Sequence, residues 1–280
     1  MVRSIADLDA ERARALAEAY GIAAHGTVAE LRVACAPDTV LGVGIQNALR
    51  AIARGDIGTP LTASTMFHVP GPESWHPGPD FLYAKGAGPL LDMGPYYLTT
   101  LVHVFGAASR VHAVGSRARD TRVIGSGPRA GQSFPVEVPT HVAALIEFAG
   151  GGSAQSTFSF EHALPRAGVV EINGTEGTLV LPDPNMFTGD SLLYRYGAEE
   201  PVTLAAPEGE YGRGTGVVDL VRSLRAGTDE RASGAVAAHV LDVMLGIGEA
   251  AEQGSPVTLK SSVGPVSPLP EGWDPRVASP

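Results

Sequence analysis

The stretch GAGPLLDMGPYY, residues 86–97, joins a loop rich in Pro and Gly to an apolar run at residues 98–105. If a helix begins near Asp92, the side chains of Asp92 and Tyr96 project from one face, because positions i and i+4 are neighbours on a helix. A carboxylate beside a phenol is suited to moving a proton, since the phenol donates or accepts and the acid orients it. His103 lies seven residues beyond Tyr96, on roughly the same face. Asp92 and Tyr96 are therefore a candidate catalytic pair at the start of a helix.

The same residues also fit a purely structural role. Asp92 is a good helix N-cap, and Pro95 would then lie in the first turn, where its missing N–H group costs nothing. Tyr96 would be an ordinary half-buried aromatic residue. Because burial and charge environment are not visible in a sequence, the residues alone leave both interpretations open.

Composition narrows the class of protein. The chain has 280 residues, enough for one or two domains with a substantial core, and 44% of them are hydrophobic. A net charge of −10 without a basic cluster argues against nucleic acid or an anionic membrane as a partner. The single Cys35 excludes an internal disulfide, no uninterrupted apolar run is long enough to span a membrane, and the charged N-terminus lacks a signal-peptide core. We expect a soluble cytoplasmic protein.

The N-terminal residues are typical of one step in a dinucleotide-binding domain. A short apolar run, Val2–Ala6, precedes Asp7 and a helix-like segment, and in such domains the acid binds the ribose hydroxyls. The phosphate-binding turn G-x-G-x-x-G belongs about 20 residues before that acid, but only six residues precede Asp7. The similar stretch 42–47 has Asn in place of the third glycine, so it is interpreted as a loop and helix start.

A second discontinuity follows within the first forty residues. The capping box at residues 27–30 predicts a helix, yet residues 33–35 already look like a strand, with no turn residue between them. A doubly wound domain needs several βαβ units of about 30 residues each. The sequence therefore predicts a remnant of a Rossmann α/β domain at residues 1–36 and a second domain at residues 37–280.

The second domain is predicted to be α+β, an open and largely antiparallel sheet with helices on one face. Strand-like runs separated by turn signals support this fold; they are 61–69, 111–116, 141–148, 153–160, 169–172, 178–181 and 192–196. Two closing helices are expected at residues 214–225 and 235–252. The intervening segment 117–139 is expected to be a loop in which Arg122 and Arg129 are solvated.

Further candidate site residues lie in the loop before residue 86. Trp75, His76 and Tyr83 either line a polyol pocket by stacking and hydrogen bonding or anchor the loop, and the sequence does not choose between these roles. No grouping of His, Cys, Asp or Glu has metal-ligand spacing, and no G-x-S-x-G nucleophile motif is present. We therefore expect no metal site.

GAGPLLDMGPYY resembles the Gly-Gly-Gly-x-x-x-Asp-x-Gly-x-His signature of the Gfo/Idh/MocA family of NAD(P)-dependent oxidoreductases. Ala87 replaces the middle glycine, and Tyr96 stands where most members have the catalytic His, as in glucose–fructose oxidoreductase and its relatives. The resemblance implies hydride transfer between NAD or NADP and a secondary alcohol of a sugar or cyclitol. In this scheme Asp92 orients the substrate, Tyr96 exchanges the hydroxyl proton and Asp7 binds the ribose.

The resemblance also exposes what the sequence lacks. The family's Glu-Lys-Pro loop carries a lysine that reaches the substrate, but this chain has only Lys85 and Lys260, neither in such a motif. Lys85, seven residues before Asp92, is the candidate substitute. His103 is a candidate substrate contact.

Two hypotheses follow from these observations. The first is an oxidoreductase whose cofactor binding is impaired. The second is a catalytically silent binding or oligomerisation protein derived from the same family. Loss of the middle strands would expose strand edges that need a cover, so either hypothesis predicts a homodimer or higher oligomer assembled through the sheet.

Overall fold

A computed structural model of the protein begins with a small βαβ unit and describes residues 4–6, 10–20, 23–25, 33–207, 209 and 211–277. Strand β1 (Ser4–Ala6), helix α1 (Ala10–Tyr20) and strand β2 (Ala23–His25) follow one another, and the two strands pair in parallel. A helix linking parallel strands is the unit from which doubly wound sheets are built. The predicted strand and helix are confirmed, whereas Asp7 and the capping box at 27–30 lie outside the described residues.

The rest of the described chain is organised around one large sheet. Its strands and those of a small hairpin are, in chain order, β3 (Pro60–His68), β4 (Ala108–Ser116), β5 (Thr121–Val123), β6 (Ser133–Pro135), β7 (His141–Phe148), β8 (Ser153–Ser159), β9 (Arg166–Gly174), β10 (Gly177–Leu181), β11 (Ser191–Arg195), β12 (Val202–Leu204) and β13 (Val257–Thr258). The large sheet has the order β12-β11-β10-β9-β3-β8-β7-β4-β13. The pair β3–β8 is parallel and the other pairs are antiparallel. The predicted open, largely antiparallel sheet is confirmed.

Four α-helices follow the βαβ unit in the described residues: α2 (Val43–Ala53), α3 (Pro89–Phe105), α4 (Thr215–Ala226) and α5 (Gly234–Gln253). Helix α3 packs across β3, β7 and β8, α5 packs on β4 and beside α3, and α2 contacts β10 and β11. These contacts place the packed helices on one face of the sheet. The other face has no helix against it within the described residues.

Alternation of side chains along the strands creates these two faces. In β7, Val142, Ala144 and Ile146 are buried, whereas Leu145 between them is 57% exposed. Successive side chains of a strand point to opposite sides, so one set enters the core under the helices. The core is therefore specified by the two-residue period of the strands.

Helix α3 begins earlier than the sequence analysis expected. It starts at Pro89, with Gly88 as N-cap at a φ of 92°, so Asp92 lies in the first turn and is not the cap. A positive φ suits glycine, and proline at the first helical position loses no intrahelical hydrogen bond. Pro95 is consequently inside the helix rather than in its first turn, and the carbonyl of Leu91 loses its usual N–H donor.

Two local predictions outside the large sheet are wrong. Segment 117–139 is not simply a loop, because β5 and β6 form a hairpin and Phe134 of β6 is buried against Tyr83, with ring centroids 5.3 Å apart. Residues 33–35 form no strand: Ala34 makes one isolated antiparallel bridge to Ser233. The pairing cannot extend beyond Ser233 along the chain, since helix α5 begins at the next residue.

Helix α5 alone among the described helices is long and apolar enough to cross a membrane by length and composition. Its side chains Val236, Val240, Val243 and Ile247 are buried, and the helix packs on β4 and α3. Core helices pass the same test, so we assign α5 to the core.

We predict that Gly42→Ala destabilises the protein by about 1–3 kcal/mol, the usual cost of overpacking. Gly42 precedes α2, and a Cβ atom there would lie 2.5 Å from the backbone of Phe187. Gly248→Ala in α5 is the control: its Cβ would meet nothing within 4 Å, so about 0.5–1 kcal/mol of stabilisation is expected from helix propensity. Urea unfolding followed by circular dichroism measures both changes, and equal stabilities for the two variants would contradict the close approach at Gly42.

Candidate active site

The first two turns of α3 carry the predicted acid–phenol pair on one face. Asp92 is exposed and Tyr96 is half-buried one turn later. Among the described residues, neither the Asp92 carboxylate nor the Tyr96 hydroxyl has a hydrogen-bond or ion-pair partner. Although Asp92 is exposed, the surrounding protein removes part of the water from its carboxylate and raises its pKa above the ordinary value. The pair is therefore available to a ligand.

Lys85 lies close in sequence but makes no direct contact with this pair. Its side chain is exposed in the loop before α3, and only its backbone N–H is bonded, to Oε2 of Glu137 at 3.4 Å. Its ammonium group makes no ion pair with any described residue. The structure brings Asp92 and Tyr96 together and, among the described residues, leaves the Lys85 ammonium group on the preceding loop unpaired.

Trp75 and His76 form an exposed aromatic group with Phe81. The ring centroids of Trp75 and His76 are 5.5 Å apart, as are those of His76 and Phe81, and Trp75 is 68% exposed. The Gly78 N–H donates to His76 Nδ1, and Ser126 donates to the Trp75 carbonyl at 2.8 Å. The loop is held by these bonds while the faces of its rings remain open to solvent.

Tyr83 occupies a different environment from its neighbours in this loop. It is fully buried, its hydroxyl donates to Oε2 of Glu73, and the guanidinium of Arg122 lies 5.1 Å from its ring centroid. Burial and the Glu73 carboxylate raise the pKa of the Tyr83 phenol well above its usual range. Of the two roles left open by the sequence, this geometry is that of a loop anchor.

Arg122 is the residue that the sequence analysis placed wrongly. It was expected to be solvated, but it is 5% exposed, because the β5–β6 hairpin turns its side chain inward. Its guanidinium pairs with Glu73 and with Oε1 of Glu161, and it donates to the carbonyls of Pro70 and Phe160 at 3.3 and 3.1 Å. A buried charge persists when it is paired and hydrogen-bonded in this way. Arg122 thus ties the loop before α3 to the end of β8.

The carboxylates of this network, which consists of Glu73, Tyr83, Arg122 and Glu161, are also held by hydroxyl groups. Thr140 donates to Oε1 of Glu161 at 2.5 Å, and Arg119 pairs with the other oxygen at 2.9 Å. Burial raises the pKa of Glu161, but the bonds from Thr140 and Arg122 outweigh it and hold that pKa below its ordinary value. Glu161 is therefore ionised at neutral pH.

The sequence between the start of α2 and the end of β10 matches a known domain family. Residues 45–180 match the family described as the GFO/IDH/MocA C-terminal domain. Over these residues the chain is similar to GFO/IDH/MocA C-terminal domains. Comparison with curated proteins gives no match.

Solved structures show the same fold. An NAD-binding oxidoreductase from Klebsiella pneumoniae is 21% identical with a TM-score of 0.67, over 90% of this chain and 70% of that one. Levoglucosan dehydrogenase in complex with NADH and L-sorbose is 20% identical, with a TM-score of 0.63 over 80% and 64%. The aldose-aldose oxidoreductase from Caulobacter crescentus, complexed with glycerol, is 20% identical, with a TM-score of 0.65 over 90% and 68%. The chain thus spans about two thirds of each of these structures.

Within the matched region 45–180, His103 lies in the interior rather than on the surface shared by Asp92 and Tyr96. It is 8% exposed, and neither ring nitrogen has a hydrogen-bond partner among the described residues. Burial, with a smaller effect from the charge of Arg231, lowers the pKa of His103 to about 4. His103 is therefore neutral at physiological pH and shielded from substrate in this conformation.

Sequence reasoning missed a group of three histidines on the open face of the sheet. His68 and His162 are stacked with ring centroids 3.7 Å apart, and His141 lies 6.4 and 6.0 Å from them. Burial and the two neighbouring imidazoles lower the pKa of His68 to about 4. No group of His, Cys, Asp or Glu within the described part of the chain could hold a metal ion. The spacing of these histidines in sequence carries no signal, because different strands bring them together.

His239 of α5 lies beside Ser261 and Asp242 in an arrangement that only superficially resembles a catalytic triad. Its Nε2 accepts the Ala108 N–H at 2.9 Å, so Nδ1 is the donor toward Ser261. Ser261 in turn donates to Asp242 at 2.7 Å. The serine lies between the imidazole and the acid, and the imidazole nitrogen needed as a base is occupied by the backbone.

We predict that Arg122→Met lowers the free energy of unfolding by about 3–5 kcal/mol at neutral pH, because it leaves buried carboxylates without a counter-charge. In the wild type, the lowered pKa of Glu161 contributes stability above the unfolded-state pKa, and that contribution is lost as the pH falls through the folded-state pKa. Without Arg122, protonation of Glu161 becomes easier. The difference in free energy of unfolding between the variant and the wild type should therefore become smaller as the pH falls toward about 4.

The matched control is Arg129→Met, since Arg129 makes an exposed ion pair with Asp80 in the same segment. This change is expected to alter stability little at any pH. Urea unfolding at a series of pH values tests both variants. If Arg122→Met lowers the free energy of unfolding only slightly, or by the same amount at every pH, the buried ion pairs do not stabilise the loop.

Proposed function

We propose that the chain is an NAD(P)-dependent oxidoreductase that acts on a secondary alcohol of a sugar or cyclitol. The observation that carries this proposal is the pair Asp92 and Tyr96, one turn apart on α3 and without hydrogen-bond partners among the described residues, in the region that matches the GFO/IDH/MocA C-terminal domain. The fold likeness to structures containing NADH or a polyol supports it.

In the proposed reaction the chain handles the hydroxyl proton. The Tyr96 phenolate accepts the proton of the substrate hydroxyl, while the Asp92 carboxylate accepts a hydrogen bond from the same or a neighbouring hydroxyl and fixes its direction. A phenol acts as a base near neutral pH only if positive charge stabilises its anion. Lys85 is the proposed source of that charge, on a loop whose ends the Arg122 network holds. A bound nicotinamide would supply the chemistry of hydride acceptance.

The exposed aromatic group on this loop is proposed to form one wall of the substrate pocket. The apolar face of a pyranose or cyclitol ring stacks well on an aromatic side chain, and Trp75 presents such a face. His76 and Phe81 extend the surface. Because Tyr83 and His103 lie in the interior, this proposal gives them structural roles rather than contacts with the substrate.

The βαβ unit is the proposed site for part of a nicotinamide cofactor. We propose that residues 1–36 are a remnant of the nucleotide-binding domain and that residues 37–280 form the substrate-binding and oligomerisation domain. Asp7 directly follows β1 in sequence, the position from which an acid binds ribose hydroxyls. Of the chain's two lysines, neither lies in a Glu-Lys-Pro motif. We therefore expect cofactor binding to be weakened.

A second candidate function, a catalytically silent binding or oligomerisation protein, is favoured by the open face of the sheet. Val114 and Leu145 on that face are 67% and 57% exposed, and they line a concavity of about 380 Å³ between β4, β7 and β8. An exposed apolar surface of this kind is typical of an interface. We propose that two copies pair through this face under either function.

Titration with NADH and NADPH, followed by fluorescence quenching, distinguishes the two functions. Saturable binding in the micromolar range is expected of the oxidoreductase and would eliminate the silent protein. No binding at millimolar cofactor would eliminate the oxidoreductase.

The neighbouring tyrosines provide a matched pair of variants for the catalytic step. Tyr96→Phe is expected to abolish turnover with little change in stability, because its hydroxyl has no partner among the described residues. Tyr97→Phe is expected to retain turnover and lose about 1 kcal/mol of stability, since the buried Tyr97 hydroxyl accepts the Gly168 N–H at 2.8 Å. Steady-state kinetics and urea unfolding of both proteins give the answer; full activity of Tyr96→Phe would rule out the phenol as base.

The proposed dimer is tested by placing a charge on the open face. Leu145→Lys is expected to convert the dimer to a monomer in sedimentation velocity, because two like charges would have to be buried near each other. Leu224→Lys is the control, at an exposed leucine of α4 away from the sheet. A monomeric wild type, or a dimer unaffected by Leu145→Lys, would show that the sheet face is not the interface.

A further inference from the structure

A small cleft lies between α2 and the C-terminal segment 269–274. It has a volume of about 150 Å³. Its described walls are about equally apolar and polar: Leu41, Val43 and Trp273 are among the apolar and aromatic residues, and Arg50 from the second half of α2 is among the polar ones. The cleft contains none of the residues proposed for the redox reaction.

The other polar side chains on these walls are already engaged. Gln46 donates to the Val40 carbonyl at 2.8 Å and accepts the Leu269 N–H at 2.6 Å. Tyr211 donates its hydroxyl to the Trp273 carbonyl, and Asp274 forms an ion pair with Arg276. A ligand in the cleft would find these groups occupied.

Arg50 is the exception among the described wall residues. Its guanidinium makes a single hydrogen bond, to the Leu269 carbonyl at 3.3 Å, and no described carboxylate lies within ion-pairing distance of it. Arginine carries five N–H donors and stays charged at any physiological pH. Partial burial of this charge is unfavourable: it lowers the pKa of Arg50, an effect that Glu271 and Tyr211 oppose from a distance. A bound anion would stabilise an unpaired cation in a concave, partly desolvated site.

The neighbouring charges do not provide that anion. Glu271 is exposed and makes no ion pair with Arg50. Asp274 is held by Arg276, and Arg54 one turn along α2 pairs with Asp56 at 2.7 Å. Arg222 lies over the other end of the wall, 4.6 Å from the Trp273 ring centroid, where it adds positive charge.

We propose that this cleft binds a small carboxylate anion, with the guanidinium of Arg50 on the carboxylate and the apolar body of the ligand against Trp273 and Val43. The planar fork of arginine matches a carboxylate in two parallel hydrogen bonds. The volume restricts the ligand to a few carbon atoms, well below the roughly 300 Å³ of an ordinary ligand pocket. The apolar part of the wall offers packing surface to a short hydrocarbon tail, which a fully hydrated oxyanion such as phosphate does not have.

The test is a titration of the whole protein with sodium propionate, with sodium phosphate and sodium chloride at matched ionic strength. Binding is followed by isothermal calorimetry and by Trp273 fluorescence in a Trp75→Phe background, since Trp75 is the only other tryptophan. Saturable propionate binding is expected, with a dissociation constant of about 1 mM. No saturation by propionate, or equal effects of propionate and phosphate, would overturn the proposal.

Variants on one helix identify the group responsible. Arg50→Gln should weaken propionate binding at least tenfold, and Arg54→Gln, one turn away and exposed, should leave it unchanged. Equal affinities of wild type and Arg50→Gln would overturn the assignment. If Arg50→Gln fails to fold, Arg50→Lys decides: lysine keeps the charge and loses the fork, so weaker binding supports the proposal and unchanged binding contradicts it. Because these measurements involve neither cofactor nor turnover, they are independent of the proposed redox function.

Discussion

The buried guanidinium of Arg122 holds together segments that are far apart in sequence. Its ion pairs and carbonyl contacts join Pro70 and Glu73 of the loop, Glu161 after β8, and its own hairpin. Removing one member would leave a buried charge uncompensated, so these segments are stable only together. The loop that carries Trp75, His76 and Lys85 therefore has a defined course between β3 and α3, although most of its own residues are polar, glycine or proline.

Helix α3 follows that loop and carries the candidate site. Gly88 and Pro89 set the start of the helix, and the buried side of α3 packs on β3, β7 and β8. Tyr97 belongs to that buried side, where its hydroxyl meets the backbone of β9, while Tyr96 points toward the open surface beside Asp92. Successive side chains on a helix point in directions about 100° apart. Tyr97 can therefore lie in the core while its neighbour Tyr96 is the candidate base.

The sequence predicted most of the fold because its signals were local. Alternating side chains located β3, β7 and β8 almost to the residue, and apolar stripes located α4 and α5. It misplaced the start of α3, since both Gly88 and Asp92 are acceptable caps and only packing chooses between them. It treated Arg122 as solvated because an arginine in a Gly-, Ser- and Pro-rich segment is usually exposed. Its partners, Glu73 and Glu161, are about 40–50 residues away, and no local pattern reveals such pairing.

By itself, the amino-acid sequence determined the α+β class, the one-sided sheet and the adjacency of Asp92 and Tyr96, since each follows from the two- or 3.6-residue period of a strand or helix. Tertiary structure decided which polar side chains are buried and which are free. Tyr83 and His103 entered the interior, Arg122 became the centre of an ion network, and Arg50 was left in a cleft with unused donors. Those outcomes depend on contacts between distant segments, whose energies are set by desolvation and pairing rather than by local propensity.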